Sequence, residues 1–341
     1  MKLETLEISF TEKVKEAHKA AVLSYIENIA SKGLPAILSV EHFSMLIGVR
    51  AESLYEMSNG PQHFYRSFDL QKNSGGTRRI DAPLPSLHFV QRWILDNMLS
   101  SVTLHGAAKA YRKGVGIREN ARFHRSQPLL LKMDVKNFFG SIIERQVVSI
   151  FLKFGYSKKV SVFLAKLCCL NGSLPQGAAT SGCLSNIYLT NFDEVIFAKC
   201  KAEKIRYTRY ADDMTFSGSD LHVENYVKLV SKELGKLKLS LNPKKTRVLK
   251  PNNQQIVTGL VVNEKVSVPR EYLRSLKQDC YFIHKFGIYG HCRQIENENP
   301  RSTLEQVIGR LSYVSNILSK DKRWVDLHGS MMAHRKETFG Y

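Results

Sequence analysis

Three features of this chain predict an α+β fold. Helical periodicity recurs near the start of the chain, through its middle and toward its end. An apolar run at Leu129–Val135, broken only by Lys132, reads as a strand buried on both faces. A β-prone run, Arg209–Phe216, carries the adjacent acids Asp212 and Asp213 in its middle.

Each element follows from its own pattern. Residues 11–31 place Val14, Val22, Tyr25, Ile26 and Ile29 near helical spacing, and Gly33 and Pro35 end that helix. A second helical stretch runs from about Val40 to Met57. Tyr65–Leu70 reads as a strand, the segment around Gly75 and Gly76 as a basic turn, and Arg79–Pro83 as the returning edge strand. Leu87, Val90, Ile94, Leu95 and Met98 predict a helix over 85–101. The segment from Tyr111 to His124 is basic and rich in glycine, then turns helical. The buried strand follows and ends in Asp134, with Phe138 and Phe139 just beyond. Leu174–Gly182 is a loop that leads into a helix over Leu184–Phe197. After the acid pair come a helix at 223–239 and a strand-like stretch at Val257–Val262. In the C-terminal region Leu273, Leu276, Cys280 and Ile283 share one helix face, while Arg270, Arg274 and Lys277 lie elsewhere. A last helix spans about Leu304–Leu318.

Composition narrows the partner. Of 341 residues, 50 are Lys or Arg and 31 are Asp or Glu, a net charge of +19. Such a surplus favours a polyanion, either nucleic acid or an anionic membrane. No apolar run reaches the roughly 18 residues of a membrane-spanning helix. The first residues show no signal-peptide pattern, so nucleic acid is the expected partner and the cytoplasm the expected location. The six cysteines form no C-x-x-C pair and have no zinc-finger histidine spacing, and they read as reduced thiols.

The acid pair carries the chemistry. Alone, Asp-Asp between two β runs is more often a hairpin turn than a metal site. Asp134, at the end of another strand, changes that reading. Two metal ions held by carboxylates are a recurring solution for nucleotidyl transfer, one activating the attacking hydroxyl and one clamping the triphosphate. Mg²⁺ takes few protein carboxylates and completes its shell with phosphate oxygens and water. Asp134, Asp212 and Asp213 meet that demand. Lys72, Arg78 and Lys245 suit the triphosphate charge, and a lysine beside the leaving pyrophosphate can donate a proton.

In order, these segments resemble a reverse transcriptase, and more narrowly a bacterial retron reverse transcriptase. The likeness covers roughly residues 40–320. Motif A corresponds to Leu131–Phe139, motif B to Leu174–Asn186, motif C to Tyr210-Ala-Asp-Asp213 and motif D to the stretch around Asn242–Thr246. Asn120-Ala121-Arg-Phe-His124 matches the retron N-A-x-x-H element, and Val257-Thr258-Gly259 the retron V-T-G element. Motif B commonly has prolines where this chain has Ala179 and Gly182.

The resemblance implies a right-hand polymerase of fingers, palm and helical thumb. The expected division is an N-terminal helical extension at 1–44, interleaved fingers and palm at 45–255, and a thumb at 256–341. It implies RNA-templated DNA synthesis with two Mg²⁺ ions, or Mn²⁺ as a substitute. The metal ligands would be Asp134, Val135, Asp212 and Asp213, with Asp212 bridging the metals and Asp213 the weaker ligand. Lys245 joins the three acids in catalysis. Phe139 would screen the sugar 2′ position against ribonucleotides, and Gln176 and Gly177 would line the incoming nucleotide. Lys72 and Arg78, or Arg79 if the register slips by one, would meet its phosphates. Asn120, His124, Val257, Thr258 and Gly259 are expected at the RNA. Two readings of them stand side by side: contacts to splayed bases and ribose, or a turn support, a packed histidine and a strand bend. Arg270, Arg274 and Lys277 would hold the duplex backbone.

A retron enzyme further implies a guanosine 2′-hydroxyl primer in its own structured non-coding RNA and a branched RNA–DNA product. It also implies a separate effector or toxin protein, a host RNase H for template removal, and a role in antiphage defence. Two alternatives compete: a group II intron or diversity-generating reverse transcriptase, and a non-catalytic basic RNA–DNA scaffold that holds an effector. The retron elements and the intact acid triad argue against them.

Overall fold

A computed structural model describes residues 16–71 and 75–340. The start of the predicted 11–31 helix and Lys72 lie outside them. The chain forms two compact units that alternate along the sequence. The first comprises the residues up to Tyr111, Asp134–Ala198 and Asn225–Pro243. The second comprises Arg112–Met133, Lys199–Glu224 and the residues from Lys244 onward.

The first unit is mostly helical. The stretch expected as one helix from Val40 is two, Val40–Ile47 and Ala51–Asn59. Gly48 adopts a left-handed cap whose N–H returns to the Ser44 carbonyl, and this ends the first of them. Strands β1 (Tyr65–Gln71) and β2 (Thr77–Pro83) form the predicted antiparallel hairpin. Pro85 opens the next helix at a position where its missing N–H costs nothing, and Leu87, Val90, Ile94 and Met98 are buried as their spacing predicts. Helices Glu144–Phe154 and Lys158–Cys168 pack together, and Phe151 and Leu164 on them are buried. The helix expected at Leu184–Phe197 is again two, Ser181–Tyr188 and Thr190–Ala202, because Leu189 leaves helical dihedrals between them.

The second unit is built on a four-stranded sheet. Its strands are β3 (Leu130–Asp134), β4 (Arg206–Tyr210), β5 (Asp213–Ser217) and β6 (Arg247–Leu249), in the order β4-β5-β3-β6. The pairs β4–β5 and β3–β6 are antiparallel. The Gly218 N–H donates to the Leu129 carbonyl at 3.2 Å, so β5 also runs against β3 and begins level with the end of β3. Leu130, Leu131 and Met133 are buried, as an apolar strand flanked on both sides requires. A short hairpin, β7 (Ile256–Val257) and β8 (Leu260–Val261), precedes helices Arg270–Gln294, Pro300–Ile317 and Lys322–Phe339. Leu276, Cys280 and Ile283 form the predicted apolar face and share one core with Val257, Leu260, Leu304, Leu311 and Leu130.

All six cysteines are buried and unbridged. Burial pushes the Cys168 thiol up to about 12 and those of Cys183 and Cys280 up to about 11, which keeps them protonated and unreactive. Among the described residues no helix is long and apolar enough to cross a membrane.

Candidate active site

The acid pair sits on a tight hairpin. Tyr210 pairs with Asp213, so the loop between β4 and β5 is only Ala211 and Asp212. Asp212 stands in the turn and Asp213 is the first residue of β5. Ala211 has φ 57°, a left-handed conformation that two-residue hairpins favour and alanine resists. Arg209 braces it. That side chain is fully buried, and its Nη1 donates to the Ala211 carbonyl at 3.1 Å. Sequence reasoning missed Arg209 as a functional residue, although a cation inside a buried strand is the signal that marks it.

Asp134 closes β3, the strand beside β5. Lys132, the one polar break in that apolar run, makes an ion pair with Asp213, Nζ to Oδ2 at 2.8 Å. Lys245 is exposed, on a short 3₁₀ turn, Pro243–Lys245, ahead of β6.

Val135 can ligate only through its main chain. It forms a bridge with Leu241 in which the hydrogen bonds are made by its neighbours: Asn242 N–H to the Asp134 carbonyl at 2.7 Å and Lys136 N–H to the Ser240 carbonyl at 2.9 Å. In that pattern the N–H and C=O of Val135 itself face away from the 240–242 segment. The expected ligands would thus offer carboxylate and carbonyl oxygens, a chemistry that fits a hard cation such as Mg²⁺. Among the described residues no three His, Cys, Asp or Glu side chains are gathered into a ready metal cage. An ion that completes its shell with substrate phosphates and water needs no such cage.

The β1–β2 hairpin meets the motif B loop. The Asp81 N–H donates to the Gln176 carbonyl at 2.9 Å. A Cβ on Gly177 would lie 2.6 Å from the Asp81 carbonyl oxygen, and its φ is +137°, so only glycine fits this approach. Arg79 is held within the hairpin, its Nε on Asp81 at 3.0 Å and its Nη2 on Ser67 at 3.0 Å. Arg78 points to the opposite face, the face of Ile80, whose Cγ2 lies 3.2 Å from the Cβ position of Gly177. Among the described residues no ion pair engages Arg78. Phe139 is partly buried and touches both the buried Phe138 and Tyr111, with ring centroids 5.2 and 6.1 Å away.

The N-A-x-x-H element is interior. His124 is fully buried, with Nδ1 at 2.7 Å from Ser217 Oγ and Nε2 at 2.8 Å from Thr208 Oγ1. Thr208 Oγ1 donates to Asn120 Oδ1 at 2.6 Å, and Asn120 is buried too. These side chains tie the helix Ile117–Phe123 and the turn after it to β4 and β5. Asn120 and His124, both expected at the RNA, are thus buried side chains bonded to β4 and β5. Val257 is buried as well, in the core of the C-terminal helices. Thr258 and Gly259 form the two-residue turn between β7 and β8, with φ 46° and 82°. Thr258 Oγ1 donates to the Ile117 carbonyl at 3.3 Å. Gly259 is exposed.

Arg270, Arg274 and Lys277 are exposed on the helix Arg270–Gln294, away from Leu276, Cys280 and Ile283. Lys277 lies 5.6 Å from the Trp324 ring centroid. Further along the same helix, Lys285 lies over the exposed rings of Tyr281 and Phe286, at 5.6 and 5.2 Å. Sequence reasoning passed over this basic aromatic group, because aromatics near helical spacing read as core.

Residues 70–273 match the family described as reverse transcriptase (RNA-dependent DNA polymerase). The chain is similar to the Retron Ec86 reverse transcriptase of Escherichia coli, 29% identical over 298 residues that cover 85% of this chain and 88% of that protein. It is 33% identical to the Retron Ec83 reverse transcriptase of Escherichia coli over 239 residues, 64% of this chain and 77% of that one. Against the Retron Mx162 reverse transcriptase of Myxococcus xanthus it is 29% identical, over 74% of this chain and 60% of the relative, so it spans about three fifths of that protein's length.

Proposed function

We propose, for a chain that belongs to the reverse transcriptases and to their retron branch, a polymerase centre formed by Asp134, Asp212 and Asp213 that starts DNA on its own structured RNA. The chain is an RNA-directed DNA polymerase with the right-hand fold of that family. The finer reading is that it extends a guanosine 2′-hydroxyl of its cognate non-coding RNA and leaves a branched RNA–DNA product. A separate effector protein, a host RNase H and an antiphage role complete that proposal.

The sheet order supports the site assignment: β3, which ends in Asp134, lies beside the hairpin that carries Asp212 and Asp213. Bound Mg²⁺ would lower the pKa of the primer hydroxyl and neutralise charge on the departing pyrophosphate. The residues of the chain do the rest. The Asp212 carboxylate stands at the tip of a braced turn, and Arg209 keeps that turn in its strained shape. The Val135 carbonyl adds a further oxygen. Arg78, with Lys72 and Lys245, neutralises the triphosphate. Gly177 lets the nucleotide-facing loop seat against the hairpin, and Phe139 closes the space that a 2′-hydroxyl would occupy.

Asp213→Asn tests the centre. DNA synthesis on a primed RNA should be abolished while RNA binding stays close to wild type. Synthesis that survives the substitution would remove Asp213 from the site. The nucleic acid copurifying with the protein tests the finer reading: a 2′–5′ branched RNA–DNA species supports it, and only linear RNA counts against it.

A further inference from the structure

We propose that Tyr111 is a positioning residue for sugar selection: it packs against the ring of Phe139, which Phe138 also touches, and Gly182 is the seat that lets it do so. The inference rests on the reading of Phe139 as the residue that screens the 2′ position.

Tyr111 is placed at some cost. Its φ is 56°, which a bulky side chain rarely adopts. Such strain persists only where the surroundings impose it. Two contacts from the helix Ser181–Tyr188 do so. Asn186, buried in that helix, donates Nδ2 to the carbonyl of Ala110 at 2.8 Å and so holds the residue just before Tyr111. Gly182, at the start of the same helix, lies directly beneath the ring. A Cβ there would stand 2.4 Å from Tyr111 Cγ, closer than real Cβ contacts come. Any other residue at 182 would displace the tyrosine.

The ring so seated is not core material, since Tyr111 is 52% exposed. Its ring neighbour is Phe139, with centroids 6.1 Å apart and planes at 52°. Phe138 also lies against Phe139, at 5.2 Å, and is itself buried. Phe139 is thus in contact with two rings. A steric screen discriminates only if it cannot swing aside, because a χ1 rotation would open the space that it denies to a 2′-hydroxyl. Tyr111 adds a second ring to the restraint that Phe138 supplies. Tyr111, Phe139 and Gly182 come from three separate segments of the chain, so the departure from proline at 182 gives no sign of this contact in the sequence.

The test compares single insertions of dCTP and CTP on a primed RNA template, taking the ratio of the two kcat/KM values. Tyr111→Ala should lower the dCTP preference about tenfold, chiefly through a lower KM for CTP. Tyr111→Phe should retain the wild-type ratio, because the ring is kept. Gly182→Ala should reproduce the loss by unseating the ring. Tyr111→Gly suits the left-handed backbone and takes the place of Tyr111→Ala should that variant fail to fold. Phe139→Ala serves as the reference. If it abolishes the preference while Tyr111→Ala and Tyr111→Gly leave it intact, the role of Tyr111 is overturned and the reading of Phe139 stands. If Phe139→Ala keeps the preference, the reading of Phe139 falls and the inference falls with it.

Discussion

Lys132 and Asp213 form an ion pair between neighbouring strands, Nζ to Oδ2 at 2.8 Å, with both side chains about a quarter exposed. The lysine therefore neutralises a carboxylate assigned to a metal. Removing it should strengthen that carboxylate as a ligand. Lys132→Met should lower the Mg²⁺ concentration for half-maximal synthesis by up to a few-fold, in line with the roughly 0–1 kcal/mol of a partly exposed pair. Lys132→Arg, which keeps the charge, should behave like wild type. A Lys132→Met enzyme that needs more Mg²⁺ would mean that the lysine orients Asp213 and does not compete for it.

The buried His124 makes a stability prediction. Alanine there takes one hydrogen bond from each of the buried hydroxyls of Ser217 and Thr208. The cost should be on the order of 2 kcal/mol or more, read as a lowered denaturation midpoint. Extension of a generic primed template should fall together with use of the cognate RNA, because the tie reaches both strands of the hairpin that carries the acids. Selective loss on the cognate RNA would return His124 to a recognition role.

Arg78 and Arg79 should separate cleanly. Arg79 is committed to Asp81 and Ser67, while Arg78 shares a strand face with Ile80 at the motif B loop. Arg78→Ala should raise the KM for deoxynucleotides about tenfold, as the loss of a charge-assisted phosphate contact does. Arg79→Ala should change it by less than half as much and act mainly on hairpin stability. The reverse ranking would place the phosphates on the other face.

Arg270, Arg274 and Lys277 are proposed to meet a nucleic-acid backbone. Each substitution to alanine should weaken duplex binding regardless of sequence and reduce the slope of log affinity against log salt by about one. An unchanged slope would remove that residue from the interface. The exposed Tyr281 and Phe286 provide a contrast, since stacking on unpaired bases is less sensitive to salt.

Much of this protein was legible in its sequence. Helical spacing located the buried faces of Leu87–Met98 and Leu276–Ile283, and an unbroken apolar run located β3. Motif order indicated a reverse transcriptase, because the spacing of acids, glycines and aromatics is local to each motif and survives as a linear pattern. Helix interruptions were harder to read. The breaks at Gly48 and Leu189 fall inside stretches whose periodicity continues across them. Three-dimensional packing decided the rest: that buried His124 bonds Thr208 and Ser217, that Arg79 is the one of two adjacent arginines tied to Asp81 and Ser67, and that Lys132 reaches Asp213. It also brought Gly182 against the Tyr111 ring. Each of these relations joins residues from different segments of the chain. Periodicity reports only which side of an element is buried, so the identity of the partner on that side emerges only when the segments pack.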